Sequence, residues 1–147
     1  MKSYDPQMHT AEHILNQTMI RMFDCERSFS SHIEKKKSKC DYHFDRSLDL
    51  DEEVDLTKSI NEVIDRNLEV KEHFLSRNEA SAKFNLSGLP EGAGDEVRIV
   101  TVGNYDACPC IGPHVSKTSE IGMFQLISTS HENGILRIRF KLSGLSR

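Results

Sequence analysis

Several kinds of residue and segment are scarce in this sequence. It has no tryptophan, only 4 prolines and only 8 glycines in 147 residues, which excludes collagen-like and low-complexity chains. No apolar run approaches the roughly 18 residues that a membrane-spanning helix needs, so we expect no membrane partner. The 4 cysteines are too few for the disulfide framework of a small secreted domain, and the first residues lack the apolar segment of a signal peptide. We therefore expect a cytoplasmic protein with reduced thiols.

The composition is that of a folded chain with a slight excess of acid. Hydrophobic residues make up 37% and charged residues 29%, which suffices for a buried core, and the length predicts a single domain over residues 1–147. The 19 basic and 23 acidic residues give a formal charge of −4. A nucleic-acid partner would therefore have to bind a local basic patch, and a general DNA-binding protein is not expected.

Helical and strand patterns alternate in mixed order along the chain. Asp5-Pro6 is a favourable helix start, and an apolar stripe with a helical period predicts a long helix from Pro6 to Asp24. The acidic stretch 49–55 begins a second helical pattern that extends to Leu68. The other predicted elements are a helix over 77–83, strands over 28–33, 39–44, 69–75, 96–102, 124–130 and 135–142, and a surface loop over 87–94. The predicted fold class is α+β, with a long N-terminal helix and further helices packed on a mainly antiparallel sheet.

Two hairpins are predicted from their turns. Asn133-Gly134 is the dipeptide that favours a two-residue β-turn, and it separates the last two predicted strands. In the final strand, apolar residues alternate with the basic residues Arg137, Arg139 and Lys141. The first hairpin has a positive tip formed by the run 35–37.

Two short segments each contain a pair of residues that bind metals, four positions apart. In the first helix, the segment HTAEH contains His9 and His13, which this spacing places on one face. Before the final hairpin, the segment CIGPH contains Cys110 and His114. Three imidazoles and a thiolate form a donor set that zinc accepts, and two pairs supply the four ligands of a tetrahedral site. The sequence predicts that the first helix and the later loop meet around one ion.

Less specific interpretations stand beside this prediction. A histidine pair four residues apart at the edge of a helix is by itself more often a partly exposed, hydrogen-bonded surface feature. Cys25 is expected on the first helix as a small core residue. Cys108 has three open roles: a thiol beside the site, an alternative ligand, or a redox partner of Cys110. The remaining histidines are expected to be polar surface or hydrogen-bonded core groups, namely His32, His43, His73 and His131.

The first segment also matches the H-x-x-E-H pattern of inverted zinc peptidases. In that pattern the two histidines bind zinc and the adjacent acid, here Glu12, is the general base. The pattern requires a carboxylate as third ligand and a larger substrate cleft. In this short chain the best partners are a thiolate and an imidazole, so a peptidase is the weaker alternative.

The segments HTAEHIL and CIGPHVSKTSEIGMFQL together resemble a known family. They are similar to the H-x-x-x-H and C-x-x-x-H signatures of the second additional, or editing, domain shared by alanyl- and threonyl-tRNA synthetases and by freestanding relatives of the alanyl enzyme. The segments VRIVTVGNYDAC and RIRFKLSG are similar to the freestanding alanyl type. The resemblance implies a long helix packed against an antiparallel sheet.

The resemblance also implies an activity and a set of site residues. These domains hydrolyse the ester that links a wrong amino acid, chiefly serine or glycine, to the terminal adenosine of tRNA. By motif, His9, His13, Cys110 and His114 would be the metal ligands. Zinc there could polarise the ester carbonyl, hold the amine of the amino acid, activate water, or serve structure only. No general base is assigned, because Glu12 and Asp106 are equal candidates.

Two departures from the family bear on the tRNA partner. Gly112-Pro113 stands before the last ligand, where alanyl-type members usually have G-T, and this is closer to the threonyl type. The Gly-rich barrel of longer relatives is absent, so the domain itself would contact the acceptor end of a mischarged tRNA. The candidates for phosphate contact are Lys35, Lys36, Lys37 and Lys39, or equally Arg137, Arg139 and Lys141. The alternative functions are a non-catalytic zinc-binding relative that binds tRNA or a nucleotide, and a threonyl-type domain that acts on seryl-tRNA.

Overall fold

The computed structural model describes residues 5–84, 86 and 96–143. Within these residues, helices and strands alternate in mixed order, and all strand pairs are antiparallel, which confirms the predicted α+β class. In chain order the elements are α1 Pro6–Phe23, β1 Ser30–His32, β2 Ser38–His43, α2 Leu50–Asp65, β3 Val70–Ser76, α3 Arg77–Lys83, β4 Glu96–Val102, β5 Asp106–Pro109, a 3₁₀ turn Thr118–Ile121, β6 Met123–Glu132 and β7 Ile135–Ser143. The predicted loop over 87–94 lies outside the described residues.

The strands form two sheets where the sequence predicted one. The larger sheet has the order β1-β2-β7-β6, and the smaller has the order β3-β4-β5. Strand β5 is an addition, because residues 106–109 were not among the predicted strands. Its sequence, Asp-Ala-Cys-Pro, has no β-branched or aromatic residue, so only its pairing with β4 defines it as a strand.

Helix α1 begins and ends where the local sequence predicts. The Asp5 side chain accepts hydrogen bonds from the backbone N–H groups of Gln7 and Met8, and Pro6 occupies the first turn. At the other end Asp24 has a left-handed backbone with φ 55°, and its N–H donates to Ile20. The helix therefore stops at Phe23. Cys25 lies just beyond it, in contrast to its expected place on the helix, and packs half-buried against the core.

The main core lies between α1, α2 and the inner face of the larger sheet. The apolar side chains that point inward from the sheet alternate along β2 and β7, as the sequence predicted for the last strand. They include Cys40, Tyr42, Leu136, Ile138 and Phe140, all fully buried. Helix α1 packs against α2 and the 3₁₀ turn and is buried around most of its circumference. This burial places the polar side chains of α1 inside the protein.

Short-range contacts define the turn between β6 and β7 and the start of α3. Asn133 and Gly134 have φ of 54° and 78°, as a turn with two left-handed residues requires, and the hairpin of β6 and β7 is confirmed. Ser76 and Glu79 form the predicted capping box of α3. Among the helices in the described part of the chain, none is long and apolar enough to cross a membrane.

Candidate metal centre

The two predicted ligand pairs meet at one place. Helix α1 carries His9 and His13 one turn apart, and the loop after β5 carries Cys110 and His114. One potential ligand atom from each of these four side chains lies within 4.8 Å of the other three. About a hundred residues separate the pairs along the chain, so their convergence is a property of the tertiary fold.

The contacts inside this cluster are close. The Sγ atom of Cys110 lies 3.2 Å from His9 Nε2 and 3.4 Å from His114 Nε2. The rings of His9 and His114 stack with centroids 4.2 Å apart, and His13 packs edge-on against both. Both histidines of α1 are at most 4% exposed. The interpretation of the pair as a surface feature is therefore wrong.

The outer ring nitrogens of the three histidines each face an oxygen. His9 Nδ1 lies 3.1 Å from the carbonyl oxygen of Pro113, and His13 Nδ1 lies 3.5 Å from Asp106 Oδ2. A carbonyl or carboxylate oxygen can only accept, so the proton of each ring belongs on Nδ1. In a neutral ring this tautomer leaves the lone pair on Nε2, the atom that a metal ion would bind.

His114 is oriented in the same way by Thr10, which is fully buried. The Thr10 hydroxyl lies 3.0 Å from the carbonyl oxygen of Pro6, 2.9 Å from His114 Nδ1 and 3.2 Å from the backbone nitrogen of Val115. The hydroxyl has one proton, and the carbonyl of Pro6 can only accept it. Thr10 therefore donates to Pro6 and accepts from both His114 and Val115. This again places the ring proton of His114 on Nδ1.

The donor set and its spacing fit a metal ion. Zinc bonds of about 2.0–2.3 Å in a tetrahedron place ligand atoms about 3.3–3.6 Å apart, close to the distances from Cys110 Sγ to the neighbouring Nε2 atoms. His13 Nδ1 is buried and, in the described residues, has no well-formed hydrogen bond, because its contact with Asp106 is long. A ligand that held His13 on its Nε2 side would stabilise this orientation. These residues could hold a metal ion.

Three side chains of the cluster have pKa values far from their usual ones. Burial opposes ionisation of Cys110, but its contacts with His114, His13 and His9 outweigh it and lower the pKa of the thiol to about 3. Burial also lowers the pKa of His114 to about 4, with His13 and His9 adding to that effect. For His13 the burial penalty is exceeded by the contacts with Asp106 and Cys110, which raise its pKa to about 9. A thiolate is therefore present at neutral pH.

Asp106 is held in place by three side chains. Arg27 donates to both of its oxygens, at 2.8 and 3.2 Å, and Gln17 donates at 2.8 Å. The Asp106 side chain has no exposed surface. Burial raises the pKa of Asp106, but His13 and Arg27 outweigh it and hold that pKa well below its usual range. Asp106 thus acts as a fixed anion behind His13.

Glu12 occupies a different environment from Asp106. It lies on α1 between the two histidines, with one carboxylate oxygen 3.8 Å from His9 Nε2. Its side chain is 13% exposed, so solvent or a ligand can reach it. The sequence did not distinguish the two acids as candidates for the general base. In the structure, Asp106 is buried behind His13, and Glu12 is partly exposed beside His9.

The other thiol and histidines lie apart from this cluster. Burial raises the pKa of Cys108 to about 12, and its Sγ donates to the carbonyl of Pro109. Cys108 does not belong to the group of converging ligand atoms. The remaining histidines make ordinary contacts, as expected: His32 with Glu34, His43 with Phe29, His73 with Thr101 and His131 with Phe44.

The predicted basic residues lie on the larger sheet. Lys35, Lys36 and Lys37 are exposed at the tip of the hairpin of β1 and β2, and Lys39 is half-buried on β2. None of these lysines contributes to the cluster of ligand atoms.

Sequence reasoning missed two residues that shape the site, Thr10 and Arg27. Thr10 stands beside His9 in the first motif, and a hydroxyl next to a ligand is a weak signal that could have drawn attention to it. Arg27 has no such signal, because its partner Asp106 is 79 positions away along the chain.

Comparison with known proteins gives consistent matches. A family model described as the threonyl and alanyl tRNA synthetase second additional domain matches residues 97–139, which include Cys110 and His114. Curated relatives include the alanine–tRNA ligase of Fervidobacterium nodosum, 30% identical over 139 residues, which cover 94% of this chain and 16% of the ligase. Those of Caldivirga maquilingensis and Staphylothermus marinus are 32% and 31% identical, over 91% and 90% of this chain and 16% and 15% of theirs. The chain thus spans about one sixth of the length of the relatives it matches.

Proposed function

Since the chain carries the second additional domain that threonyl and alanyl tRNA synthetases share, we propose that it is an aminoacyl-tRNA deacylase. Its substrate is alanine tRNA charged with the wrong amino acid, serine or glycine. Water adds to the ester carbonyl, the bond from that carbon to the ribose oxygen breaks, and the products are the free amino acid and tRNA with a free terminal hydroxyl. The convergence of His9, His13, Cys110 and His114 is the observation that carries this proposal.

Zinc is the proposed cofactor of this cluster. The ligand set of three imidazoles and one thiolate suits zinc, and when bound there it supplies Lewis-acid chemistry toward the ester. The protein's own contribution is orientation. Hydrogen bonds to Pro113 and Thr10 orient the rings of His9 and His114, and Asp106 faces the outer nitrogen of His13 at 3.5 Å. The inner ring nitrogens are thus turned toward the cluster before any ligand arrives.

Glu12 is the proposed contact for the substrate beside this cluster. It is the accessible acid next to His9, and its carboxylate can hold the positively charged amine of an aminoacyl ester or accept a proton from water. Asp106 is enclosed by Arg27, Gln17 and His13 and is unsuited to contact a substrate. The peptidase alternative loses support, because the converging group contains no carboxylate as third ligand.

The lysines of the first hairpin are proposed to contact tRNA. Lys35, Lys36 and Lys37 are exposed and Lys39 is half-buried on the strand that follows. A cationic hairpin tip suits sugar-phosphate contacts, which position an RNA without reading its sequence.

The test is deacylation of purified seryl-tRNA with alanine and threonine acceptors, together with glycyl-tRNA of the alanine type. We expect release of the amino acid above the spontaneous rate, and loss of that release in His9→Ala. His43→Ala is the matched control, because His43 stacks on Phe29 away from the cluster and should leave the rate unchanged.

The outcomes separate the remaining alternatives. Release of serine from the threonine acceptor alone would favour a threonyl-type activity, to which Gly112-Pro113 points. If no acceptor is deacylated by zinc-loaded protein, the deacylase proposal is wrong. A zinc-binding protein that binds tRNA without hydrolysis would then be the better description.

A further inference from the structure

The outer face of the larger sheet concentrates positive charge on an acidic chain. Because side chains alternate along β2 and β7, the residues between the buried positions point away from the core. On these two strands they include Lys39, Asp41, Arg137, Arg139 and Lys141. Four cations and one acid thus share a surface in a protein with a formal charge of −4.

The register of the strands shows which of these cations are neutralised. Arg137 is paired with Asp41, to which it donates two hydrogen bonds of 2.7 and 2.9 Å. Lys39 is paired with Arg139, so two like charges stand directly opposite each other, an arrangement that disfavours the sheet. In the part of the chain that the structure describes, Lys39, Arg139 and Lys141 form no ion pair.

This cationic row continues in both directions across the sheet. On one side His32 of β1 is paired with Lys39, and the hairpin tip with its three exposed lysines follows. On the other side Arg139 donates hydrogen bonds to the hydroxyls of Ser128 and Ser130 on β6. The two alternative basic candidates in the sequence are therefore parts of one surface, here called the basic face: Lys35, Lys36, Lys37, Lys39, Arg139 and Lys141. Arg137 is excluded, because Asp41 neutralises it.

Strand β2 connects the basic face with the candidate metal centre. Lys39 points outward, while its neighbour Cys40 points inward, where Ser31 of β1 contacts it at 3.5 Å. The inner side of β2 contacts α1 directly, because the Tyr42 hydroxyl donates to the side-chain oxygen of Asn16 at 2.8 Å. Strand β1 is the edge of the sheet and only 3 residues long. The basic face and the packing against α1 therefore lie on opposite sides of the same strand.

We propose that the basic face binds the sugar-phosphate backbone of the tRNA whose terminal ester is hydrolysed at the metal centre. The inference rests on the proposed function. Cations that are not paired with an acid suit a polyanion with regularly spaced charges, and the serine hydroxyls beside Arg139 can donate to phosphate oxygens. The attraction between phosphates and these cations depends on the local charge of the basic face, so it is compatible with the negative net charge of the protein.

The test measures binding of uncharged alanine tRNA transcript by fluorescence anisotropy over a range of salt. Lys39→Gln, Arg139→Gln and Lys141→Gln each remove one charge at a surface position. We expect each to weaken binding about five- to eightfold at 0.1 M salt, the contribution of one phosphate contact, and to reduce the salt slope by about 0.7–0.9. Lys71→Gln is the matched control, because it removes the same charge from the smaller sheet, and we expect unchanged binding.

Two results would overturn the inference. One is binding within twofold of wild type for all three variants of the basic face. The other is an equal loss in Lys71→Gln, which would show that only the total charge matters. The double variant Asp41→Asn/Arg137→Gln removes a neutral pair from the same face, and unchanged binding by it would support the assignment to the unpaired cations.

A second measurement separates this inference from the proposed function. Hydrolysis of seryl-tRNA by the three variants should show a raised KM, whereas hydrolysis of the seryl ester of adenosine, which has no backbone to bind, should be unchanged. If wild-type protein hydrolyses neither ester, the deacylase proposal fails, and the anisotropy still decides whether the basic face binds RNA. Equal losses on both esters would contradict a role limited to the backbone.

Discussion

The hydroxyl of Thr10 lies 2.9 Å from Nδ1 of His114, a residue 104 positions away in the chain. The same hydroxyl accepts from the backbone N–H of Val115 and donates to Pro6, so all its hydrogen-bonding capacity is used. One buried threonine in α1 thus positions a candidate ligand in the loop after β5. The two ligand pairs are linked through the protein as well as through any ion they share.

Thr10→Val should separate this role from simple packing. Valine has a similar shape but leaves two buried donors, His114 Nδ1–H and the N–H of Val115, without an acceptor, at a cost of about 1–3 kcal/mol in the free energy of unfolding. Zinc affinity, measured by competition with a chelating dye, should fall about 10- to 100-fold. Thr10→Ser keeps the hydroxyl and should keep the affinity. Equal affinities in Val and Ser variants would refute the role of the hydroxyl.

Asp106→Asn should affect both stability and the metal centre. It removes the anion that Arg27 and His13 face while preserving the volume of the side chain. Because Arg27 is partly exposed, the loss in unfolding free energy should be about 2–3 kcal/mol, below that of a fully buried pair. Urea denaturation measures it. The double variant Asp106→Asn/Arg27→Gln should recover part of the loss, and strictly additive losses would contradict this coupling.

Removal of metal should loosen the connection between α1 and the loop over 110–114. Zinc that binds only the folded state raises stability by about 2.7 kcal/mol at a concentration one hundred times its dissociation constant. Thermal unfolding with zinc and with excess chelator should therefore differ in midpoint. Cys110→Ser should abolish the difference, whereas Cys108→Ser should retain it, because Cys108 lies outside the converging group. Retention in both variants would argue against this cluster as the zinc site.

The start of α2 contains an acid whose effect on stability depends on pH. Arg46 and, to a lesser extent, the backbone N–H of Asp49 hydrogen-bond Glu52 and lower its pKa from 4.5 to about 2. A lowered pKa in the folded state contributes stability above pH 4.5 that is lost as the pH falls through about 2.

Glu52→Gln tests this contribution, because glutamine preserves the capping box and removes only the charge. The difference in midpoint temperature between wild type and variant should be largest near neutral pH, shrink below pH 4.5, and decrease in high salt. Asp51→Asn removes a charge from the same turn as a control. A difference that does not change between pH 7 and pH 2 would rule out the ionic origin.

Several elements were predictable because their causes are local. Asp5 and Pro6 begin α1, Asn133 and Gly134 form the last turn, and Ser76 with Glu79 caps α3, each through bonds within a few residues. Strand β5 was not predictable, since four residues without β-branched side chains become a strand only through pairing with β4. The depth of His9 and His13 was underestimated for the same reason, because the segments that cover α1 come from distant parts of the chain.

The sequence by itself determined the kinds of ligand and their spacing. A helix stacks residues four apart, so His9 and His13 share a face wherever α1 packs, and Cys110 and His114 are close in their loop. Only the tertiary structure decided that these pairs meet, that Asp106 supports His13 while Glu12 stays accessible, and that Asp41 neutralises Arg137 but leaves Arg139 unpaired. These decisions depend on contacts between residues about 80 to 105 positions apart, which packing and strand register create and local pattern does not encode.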